Sequence, residues 1–259
     1  MEQSEEMHRK VSQANVDYYN KCAKQYEVIE ETIFARENEE RVHGIIKELG
    51  GKYEQGSLLD VGCGTGNILR FALQHFKEVT GTDISAEMLE RSRQYTDRLV
   101  QADASQLPFD HDSFHVVTAY SVLHHLYDPF PVIQEMYRVC KKGGVVFTDN
   151  DPNGYFQKRF KWYKNLRKKL YKKKYDQSLP DEGSAFQEDM KLAEYHHYYA
   201  DGLDAQRIKN MFEKAGFAEV NVMFRFHPRP NLFTKVIKVL LFFEPKEKKC
   251  PFLMVMATK

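Results

Sequence analysis

Three glycines at alternate positions follow an apolar run, and an acidic residue stands one short segment further on. Gly62, Gly64 and Gly66 come directly after residues 58–61, and Asp83 lies 17 residues beyond the last glycine. Glycines let the backbone turn tightly and approach a ligand, because no Cβ intervenes. The helix expected behind the loop presents free N–H groups to a carboxylate or phosphate. The spacing therefore predicts a ligand loop in which Asp83 is placed to bind ribose hydroxyls.

The same spacing separates this loop from the fingerprint of nicotinamide dehydrogenases. That fingerprint is GxGxxG, with two residues before its third glycine. Here the spacing is GxGxG, and Asn67 stands where the third glycine of the fingerprint is expected. The pattern therefore disfavours hydride transfer.

Two pairs of adjacent histidines are candidates for moving a proton. Histidine is the usual general base near pH 7, because its ordinary pKa lies close to that value. His124 and His125 follow the fourth predicted strand, and His196 and His197 lie in an aromatic segment. The first pair serves either as a base or as loop structure, and the second either lines a substrate pocket or packs. No Asp/His/Cys spacing indicates a metal site.

Short apolar runs alternate with helical stretches along much of the chain. This alternation predicts βαβ units and a mostly parallel sheet, with ligands bound at its carboxyl edge. The predicted strands are residues 58–61, 78–82, 98–102, 113–120, 144–148, 219–226 and 252–258. The predicted intervening helices are residues 67–75, 85–95, 129–140 and 204–215.

Cap residues and glycines mark several of the predicted boundaries. Ser85 is a predicted N-cap, and Gly216 is a predicted C-cap. The N-terminal region is predicted to be helical up to a stop at Gly50 and Gly51. Residues 151–200 are basic and aromatic, and we expect them to be irregular.

Five segments in order resemble motifs of the class I S-adenosylmethionine-dependent methyltransferases. The resemblance covers residues 57–149 and is nearest to the small-molecule branch with quinone and sterol methyltransferases. Its motifs are residues 58–66 (LLDVGCGTG), 81–85 (GTDIS), 102–109 (ADASQLPF), 114–126 and 142–144 (KGG). It implies a Rossmann-like, doubly wound α/β fold with seven strands, the last antiparallel. The implied parts are an N-terminal helical cap (1–50), the cofactor-binding core (51–150), a basic insertion (151–200) and the rest of the sheet (201–259).

The resemblance also implies residue roles toward S-adenosylmethionine and its product S-adenosylhomocysteine. Asp60 and the glycine loop hold the methionine part, Asp83 binds the ribose, and Asp103 lies near the adenine. The implied cofactor residues are Tyr19, Tyr26, Asp60, Gly62, Cys63, Gly64, Thr65, Gly66, Asp83, Ile84, Met88, Asp103, Ala104, Tyr120 and Ser121. The candidate catalytic residues are His124, His125 and His197.

Residues 19–26 (YNKCAKQY) are similar to the aromatic lid sequence of this branch. Tyr19 and Tyr26 are the two lid tyrosines under this resemblance. Asn20 stands where the family usually carries an acid. The resemblance implies that these residues, in the N-terminal helical cap, form a lid over the cofactor.

One segment is strongly basic on an otherwise acidic protein. Residues 155–175 hold ten Lys/Arg and no Asp/Glu, whereas the other residues hold 28 basic and 37 acidic side chains. Apolar residues at helical spacing run through the segment: Phe156, Phe160, Tyr163, Leu166 and Leu170. A basic amphipathic helix suits an anionic membrane or a lipid-like substrate. A substrate lid with a solvated face, or an RNA-binding surface, remains an alternative.

Residues 231–243 form a second apolar stretch, either exposed or packed on the core.

Composition limits the function classes. The chain has 259 residues, 42% hydrophobic and 29% charged, with a net charge of +1. No apolar window reaches membrane-spanning length, residues 1–10 do not resemble a signal peptide, and four isolated cysteines fit reduced thiols. We expect a methyltransferase that acts on an O, N or C atom of a small or lipid-like acceptor. We expect it in the cytoplasm, and at the membrane surface if the acceptor is a lipid. The alternatives are a tRNA methyltransferase and a non-catalytic cofactor-binding interaction protein.

Overall fold

The computed structural model describes residues 2–53, 56–163, 183–226 and 232–259. At its centre lies one sheet of seven strands: β1 (Ser57–Val61), β2 (Glu78–Asp83), β3 (Leu99–Gln101), β4 (Phe114–Tyr120), β5 (Cys140–Pro152), β6 (Glu219–Arg225) and β7 (Phe252–Thr258). Their order is β3-β2-β1-β4-β5-β7-β6. The first five strands pair in parallel, and β7 runs antiparallel to both neighbours. The predicted fold class is therefore confirmed.

Helices flank both faces of this sheet. They are α1 (Glu2–Cys22), α2 (Tyr26–Ile29), α3 (Arg36–Lys52), α4 (Leu69–Ala72), α5 (Ala86–Ser92), α6 (Phe130–Val139), α7 (Gly154–Arg159), α8 (Gly183–Ala193), α9 (Tyr195–Tyr198), α10 (Ala205–Ala215), α11 (Leu232–Leu240) and α12 (Lys246–Lys249). None of these described helices is long and apolar enough to cross a membrane.

Consecutive residues of the central strands feed two separate cores. Leu58 packs with α3 and α4 on one face, and Leu59 packs with α6 and α10 on the other. Side chains of a strand alternate between faces, so helices on both sides require an apolar residue at nearly every position. This explains the continuous apolar runs in the sequence.

The predicted caps are present. The Ser85 hydroxyl accepts a hydrogen bond from the Met88 amide at 3.1 Å and begins α5. Gly216 ends α10 with a φ of 116°, a backbone conformation that side chains disfavour. These local signals therefore placed the ends of both helices correctly.

The predicted stop at Gly50 and Gly51 is wrong, because α3 continues to Lys52. Gly50 instead permits close packing: a Cβ there would lie 2.5 Å from the Cβ of His75. The helix expected over residues 67–75 is also shorter, since only α4 is α-helical and turns flank it.

Residues 151–200 are not irregular where the structure describes them. They contain the end of β5 and the helices α7, α8 and α9. α8 packs against α1 through Phe186 and Ala193, which contact Tyr18 and Cys22. The predicted basic helix lies largely outside the described residues, because Leu166, Leu170 and their neighbours fall there. The described part of the insertion therefore holds α1 in place.

Candidate active site

The loops after β1, β2 and β4 meet at the carboxyl edge of the sheet, under α1. They enclose a cavity with about 830 Å³ of empty volume, part of it open to solvent. Parallel sheets bind ligands at this edge. The cavity is lined by eleven of the fifteen residues expected to contact the cofactor: Tyr19, Tyr26, Gly62, Gly64, Asp83, Ile84, Met88, Asp103, Ala104, Tyr120 and Ser121.

The glycine loop opens toward the cavity at Gly64. This residue has a φ of 53°, and a Cβ built on it would approach no atom closer than Tyr26 at 4.0 Å. The space in front of Gly64 is thus open to a ligand. Gly66 does not line this cavity; a Cβ there would lie 2.5 Å from the Tyr95 ring, so this glycine serves packing.

Asp83 ties the end of β2 to the glycine loop. Its two carboxylate oxygens accept hydrogen bonds from the Gly64 amide at 2.8 Å and the Ser85 amide at 2.9 Å. Burial raises the pKa of Asp83, and the two amides oppose the rise. The carboxylate is therefore fixed in orientation at the wall of the cavity.

A second, smaller cavity of about 310 Å³ adjoins the main one, because Tyr26, Gly62, Gly64 and Tyr120 line both. Asp60, Cys63 and Thr65 line it. Asp60 is 1% exposed and accepts a hydrogen bond from Thr118 at 2.7 Å; burial raises its pKa to about 7. The buried hydroxyl of Thr65 has no hydrogen-bond partner among the described residues. Both groups are available to a polar ligand.

Asp103 stands at the far end of the main cavity, two residues after β3. It accepts hydrogen bonds from the Ser105 amide at 2.8 Å and from the Ser12 hydroxyl of α1 at 3.1 Å. Burial alone would raise the pKa of Asp103, but these hydrogen bonds hold it below its usual value. The contact with Ser12 also attaches α1 to the cavity rim.

The lid residue Asn20 fastens α1 to the start of α5. Its side-chain oxygen accepts a hydrogen bond from the Ser85 hydroxyl at 2.7 Å and from the Glu87 amide at 3.3 Å. The side-chain amide oxygen of Asn20 thus accepts the hydrogen bonds at the position where the family usually carries an acid. With α1 so fixed, Tyr19 and Tyr26 project into the cavity wall.

His125 lies between the lid and the cavity. Its Nδ1 donates to the Ala193 carbonyl at 2.8 Å, which leaves the Nε2 lone pair within 3.1 Å of the Tyr19 hydroxyl. The same hydroxyl lies 3.2 Å from a carboxylate oxygen of Glu194. Burial lowers the pKa of His125 below 6.5, so the ring is neutral at pH 7. A neutral imidazole with an available lone pair can accept a proton.

The other two candidate histidines lie behind His125 and line neither cavity. His124 is 4% exposed, and its Nδ1 contacts an Asp151 oxygen at 2.8 Å. His197 packs edge-on against the His124 ring, with 5.0 Å between centroids. The structure thus separates the adjacent histidines: one faces the cavity and the other faces the core.

Composition also makes this cluster a metal-binding candidate. His124, His125 and Glu194 offer ligand atoms within 4.8 Å of one another. The contacts described above already employ one nitrogen of each ring.

Two residues at this edge, Asp149 and Asn150, were not named by the sequence prediction, whereas Ser121 was. Ser121 and Asn150 both adopt left-handed backbone conformations, and the Asn150 amide donates to the Ser121 hydroxyl at 3.2 Å. Such conformations cluster at functional sites. Asp149 is fully buried and pairs with Arg41 at 2.7 Å and with Arg225 at 2.8 Å. These partners are far apart in the chain, so only the fold brings them together.

Glu30 is a further residue that the sequence did not single out. Burial raises its pKa to about 7, and the nearby charge of Glu194 adds to the rise. It follows the last residue of α2, in a turn that carries no motif, so no sequence signal pointed to it.

Comparisons with known proteins agree with this geometry. Residues 59–148 match the family model described as "Methyltransferase domain". A demethylmenaquinone methyltransferase from Staphylococcus aureus is 28% identical over 215 residues, covering 79% of this chain and 85% of the relative.

Solved structures share the fold at lower sequence identity. An S-adenosylmethionine-dependent methyltransferase from Thermotoga maritima has a TM-score of 0.57 at 18% identity, covering 95% of this chain and 99% of that one. Phosphoethanolamine N-methyltransferase 2 from Haemonchus contortus, in complex with phosphomonomethylethanolamine and S-adenosylhomocysteine, has a TM-score of 0.59 at 19% identity. The match covers 93% of this chain and 57% of the Haemonchus contortus chain.

Proposed function

We propose that this chain, which is a class I S-adenosylmethionine-dependent methyltransferase, methylates a small acceptor with an apolar portion and uses His125 as the base. The observation that carries the proposal is one continuous cavity that reaches from Asp83 and Asp103 to His125. The acids in its wall suit a nucleoside, and the imidazole in the same wall suits proton removal. Leu126 and Tyr127 add an apolar lining next to the base.

The chain's own groups fit S-adenosylmethionine. The space in front of Gly64 is open, and the buried Thr65 hydroxyl has no partner among the described residues. In our assignment Asp83 binds the ribose hydroxyls, and Asp103 faces the adenine. Asp60 and the glycine loop hold the methionine portion. The remaining lining residues of this assignment are Tyr19, Tyr26, Cys63, Ile84, Met88, Ala104, Tyr120 and Ser121.

Bound S-adenosylmethionine supplies a methyl group on a sulfonium, a good leaving group that an acceptor atom displaces in line. Alignment of the two reactants therefore supplies much of the rate. Tyr19 and Tyr120 narrow the cavity around the reacting atoms and exclude water. The acceptor still has to lose a proton, whether it reacts through oxygen, nitrogen or carbon.

His125 receives that proton in our proposal. The hydrogen bond to the Ala193 carbonyl fixes the ring so that Nε2 faces the Tyr19 hydroxyl. Glu194 lies 3.6 Å from the ring and stabilises the imidazolium once it forms. His124, held by Asp151, acts as a positioning residue through its ring contact with His125, with 3.9 Å between the ring centroids.

The apolar character of the acceptor rests on the lining and on the named relative. The Staphylococcus aureus relative is a demethylmenaquinone methyltransferase, and a quinone-type acceptor suits a cavity walled by tyrosine and leucine. Contact of residues 155–175 with an anionic membrane would supply such acceptors. Residues 164–175 lie outside the described part, as does most of the basic surface on which the RNA alternative depends.

A label-partition assay tests the acceptor class. The purified protein is incubated with methyl-tritiated S-adenosylmethionine and a cell extract, and the products are separated by solvent extraction. We expect label in the organic phase. Label confined to the aqueous or RNA fraction would contradict an apolar acceptor.

A further inference from the structure

The exposed large apolar side chains are concentrated in one short stretch. Six of the eleven among the described residues lie in α11 and the turn after it: Leu232, Val236, Val239, Leu240, Phe242 and Phe243. Trp162 is 59% exposed and contacts Phe233 of the same helix, with 5.8 Å between ring centroids. We call these six residues and Trp162 the α11 patch. Scattered apolar residues are ordinary on a surface, but a contiguous patch indicates an interaction site.

α11 carries two apolar faces, and only one of them is buried within the chain. Phe233, Ile237 and Leu241 pack against Phe156 and Phe160 of the α7 region. This packing fixes the helix on the protein. The exposed surface of α11 and of the turn after it holds the α11 patch, including Phe243 at 97% exposure. A helix that needed only one face for folding would carry polar residues on the other.

The charges around the α11 patch are predominantly positive. Residues 232–249 contain five lysines and two glutamates. One of these acids, Glu244, is paired with Arg159 of α7. Lys235 and Lys238 are exposed on α11 itself. Apolar side chains ringed by lysines complement a bilayer with anionic headgroups.

Aromatic residues further distinguish a lipid surface from a protein partner. Tryptophan and phenylalanine favour the boundary between headgroups and acyl chains. The α11 patch has both, and Trp162 lies within the basic stretch of residues 155–175. Basic and apolar features of the chain thus converge on one surface.

The helices at the patch follow strands that end at the carboxyl edge of the sheet, where the cavity lies. α7 begins directly after the end of β5, and α11 follows the end of β6. Both strands end at the carboxyl edge, because β6 and β5 each run antiparallel to β7. A bilayer against this patch would therefore adjoin the edge that holds the candidate active site.

We propose that the α11 patch docks this protein on the surface of an anionic lipid bilayer, with the apolar side chains inserted and the lysines at the headgroups. This inference stands on surface residues alone and does not require the proposed methyl transfer. The binding is peripheral and reversible, since one short helix face buries few side chains.

The single tryptophan of the chain makes the proposal directly measurable. The protein is mixed with vesicles of equimolar phosphatidylcholine and phosphatidylglycerol, and Trp162 fluorescence is recorded. We expect emission at shorter wavelength, quenching by lipids brominated on the acyl chains, and co-sedimentation with the vesicles. Binding should weaken at about 0.5 M salt and on pure phosphatidylcholine, because the lysine contribution is screened or absent.

A matched pair of variants separates the patch from general stickiness. Combining Val239→Ser, Leu240→Ser and Phe243→Ser should lower the vesicle partition coefficient by at least about 30-fold. Combining Val28→Ser and Leu73→Ser, which changes two exposed apolar residues elsewhere, should leave it unchanged. Cofactor affinity measured by calorimetry shows that each variant is folded, and we expect it to be unaffected.

Three outcomes would overturn the proposal. One is wild-type protein that stays in the supernatant with anionic vesicles. Another is vesicle binding that survives the three patch substitutions. The third is a concentration-dependent dimer that the same substitutions abolish, without vesicle binding, which would assign the patch to a second copy of the chain. None of these outcomes bears on whether the chain transfers methyl groups.

Discussion

At the scale of single residues, Asp83 connects the two halves of the proposed cofactor site. It lines the cavity, and its two oxygens accept hydrogen bonds from backbone amides of the glycine loop and of the start of α5. In our proposal the carboxylate therefore has two tasks: it shapes the loop, and it presents its remaining lone pairs to the ribose. Removal of this side chain should affect binding of the cofactor more than folding.

The substitution Asp83→Ala should weaken S-adenosylmethionine binding about 10- to 100-fold, the usual value of hydrogen bonds to a charged group. Titration calorimetry measures the change. Asp97→Ala removes an exposed carboxylate near β3 and should leave the affinity unchanged. Wild-type affinity in Asp83→Ala would place the cofactor elsewhere.

Burial of Glu30 near the like charge of Glu194 makes the free energy of unfolding depend on pH. Its folded pKa of about 7 exceeds the ordinary value of 4.5, because burial and Glu194 disfavour its ionised form. A raised folded pKa means that the contribution to stability is complete below pH 4.5 and is lost as pH rises toward 7.

The variant Glu30→Gln does not ionise, so it should become progressively more stable than wild type between pH 4.5 and 7. The difference in free energy of unfolding should reach up to about 3 kcal/mol. Urea unfolding at several pH values measures it. Glu31→Gln, at the exposed neighbouring position, should show no such trend. A pH-independent difference for Glu30→Gln would contradict the buried placement of this carboxyl group.

At the scale of elements, α3 shows why the presence of glycine did not by itself predict where the helix ends. Gly44 and Gly50 lie in the same helix, but their surroundings differ. A Cβ at Gly44 would meet nothing within 4 Å, whereas one at Gly50 would collide with His75. The sequence pattern could not distinguish a stop signal from a packing contact 25 residues away.

The two glycines should respond in opposite directions to alanine. Gly44→Ala should stabilise the protein by about 0.5–1 kcal/mol, since alanine favours the helix. Gly50→Ala should destabilise it by about 1–3 kcal/mol, because α3 must move away from His75. Denaturant unfolding of both variants provides the comparison. Equal effects of the two substitutions would refute the packing explanation for Gly50.

The covering elements were harder to predict than the sheet. Each strand and cap was predictable because its signal is local: an apolar run, a serine before a helix, a glycine after one. The packing of α8 on α1 depends on Phe186 meeting Tyr18, at 5.4 Å between ring centroids and 168 residues apart in the chain. No local pattern encodes that contact, although it holds the lid over the cavity.

At the scale of the whole molecule, the same distinction applies to the candidate site. The glycine loop and Asp83 follow strands that carry motifs, so the resemblance identified them. The pairing of Asp149 with Arg41 and Arg225 arises only when β5, α3 and β6 are assembled. The choice between His124 and His125 likewise depended on the turn after β4 and on α8, which supplies the Ala193 carbonyl.

In our proposal, His125 accepts a proton while the rest of the site holds the cofactor. Asparagine at this position can still donate to the Ala193 carbonyl but cannot accept the proton. His111→Asn, at an exposed histidine, is the matched control. Binding and chemistry can therefore be measured separately.

The most direct test is the rate of methyl transfer by wild type and His125→Asn, together with their cofactor affinities. We predict a kcat about 100- to 10,000-fold lower in the variant, with unchanged S-adenosylmethionine binding. For wild type, kcat/KM should rise with pH up to the lowered pKa of His125, below 6.5, and stay level above it; the variant should lack that rise. A variant with the wild-type rate and pH profile would contradict the assignment of His125 as the base.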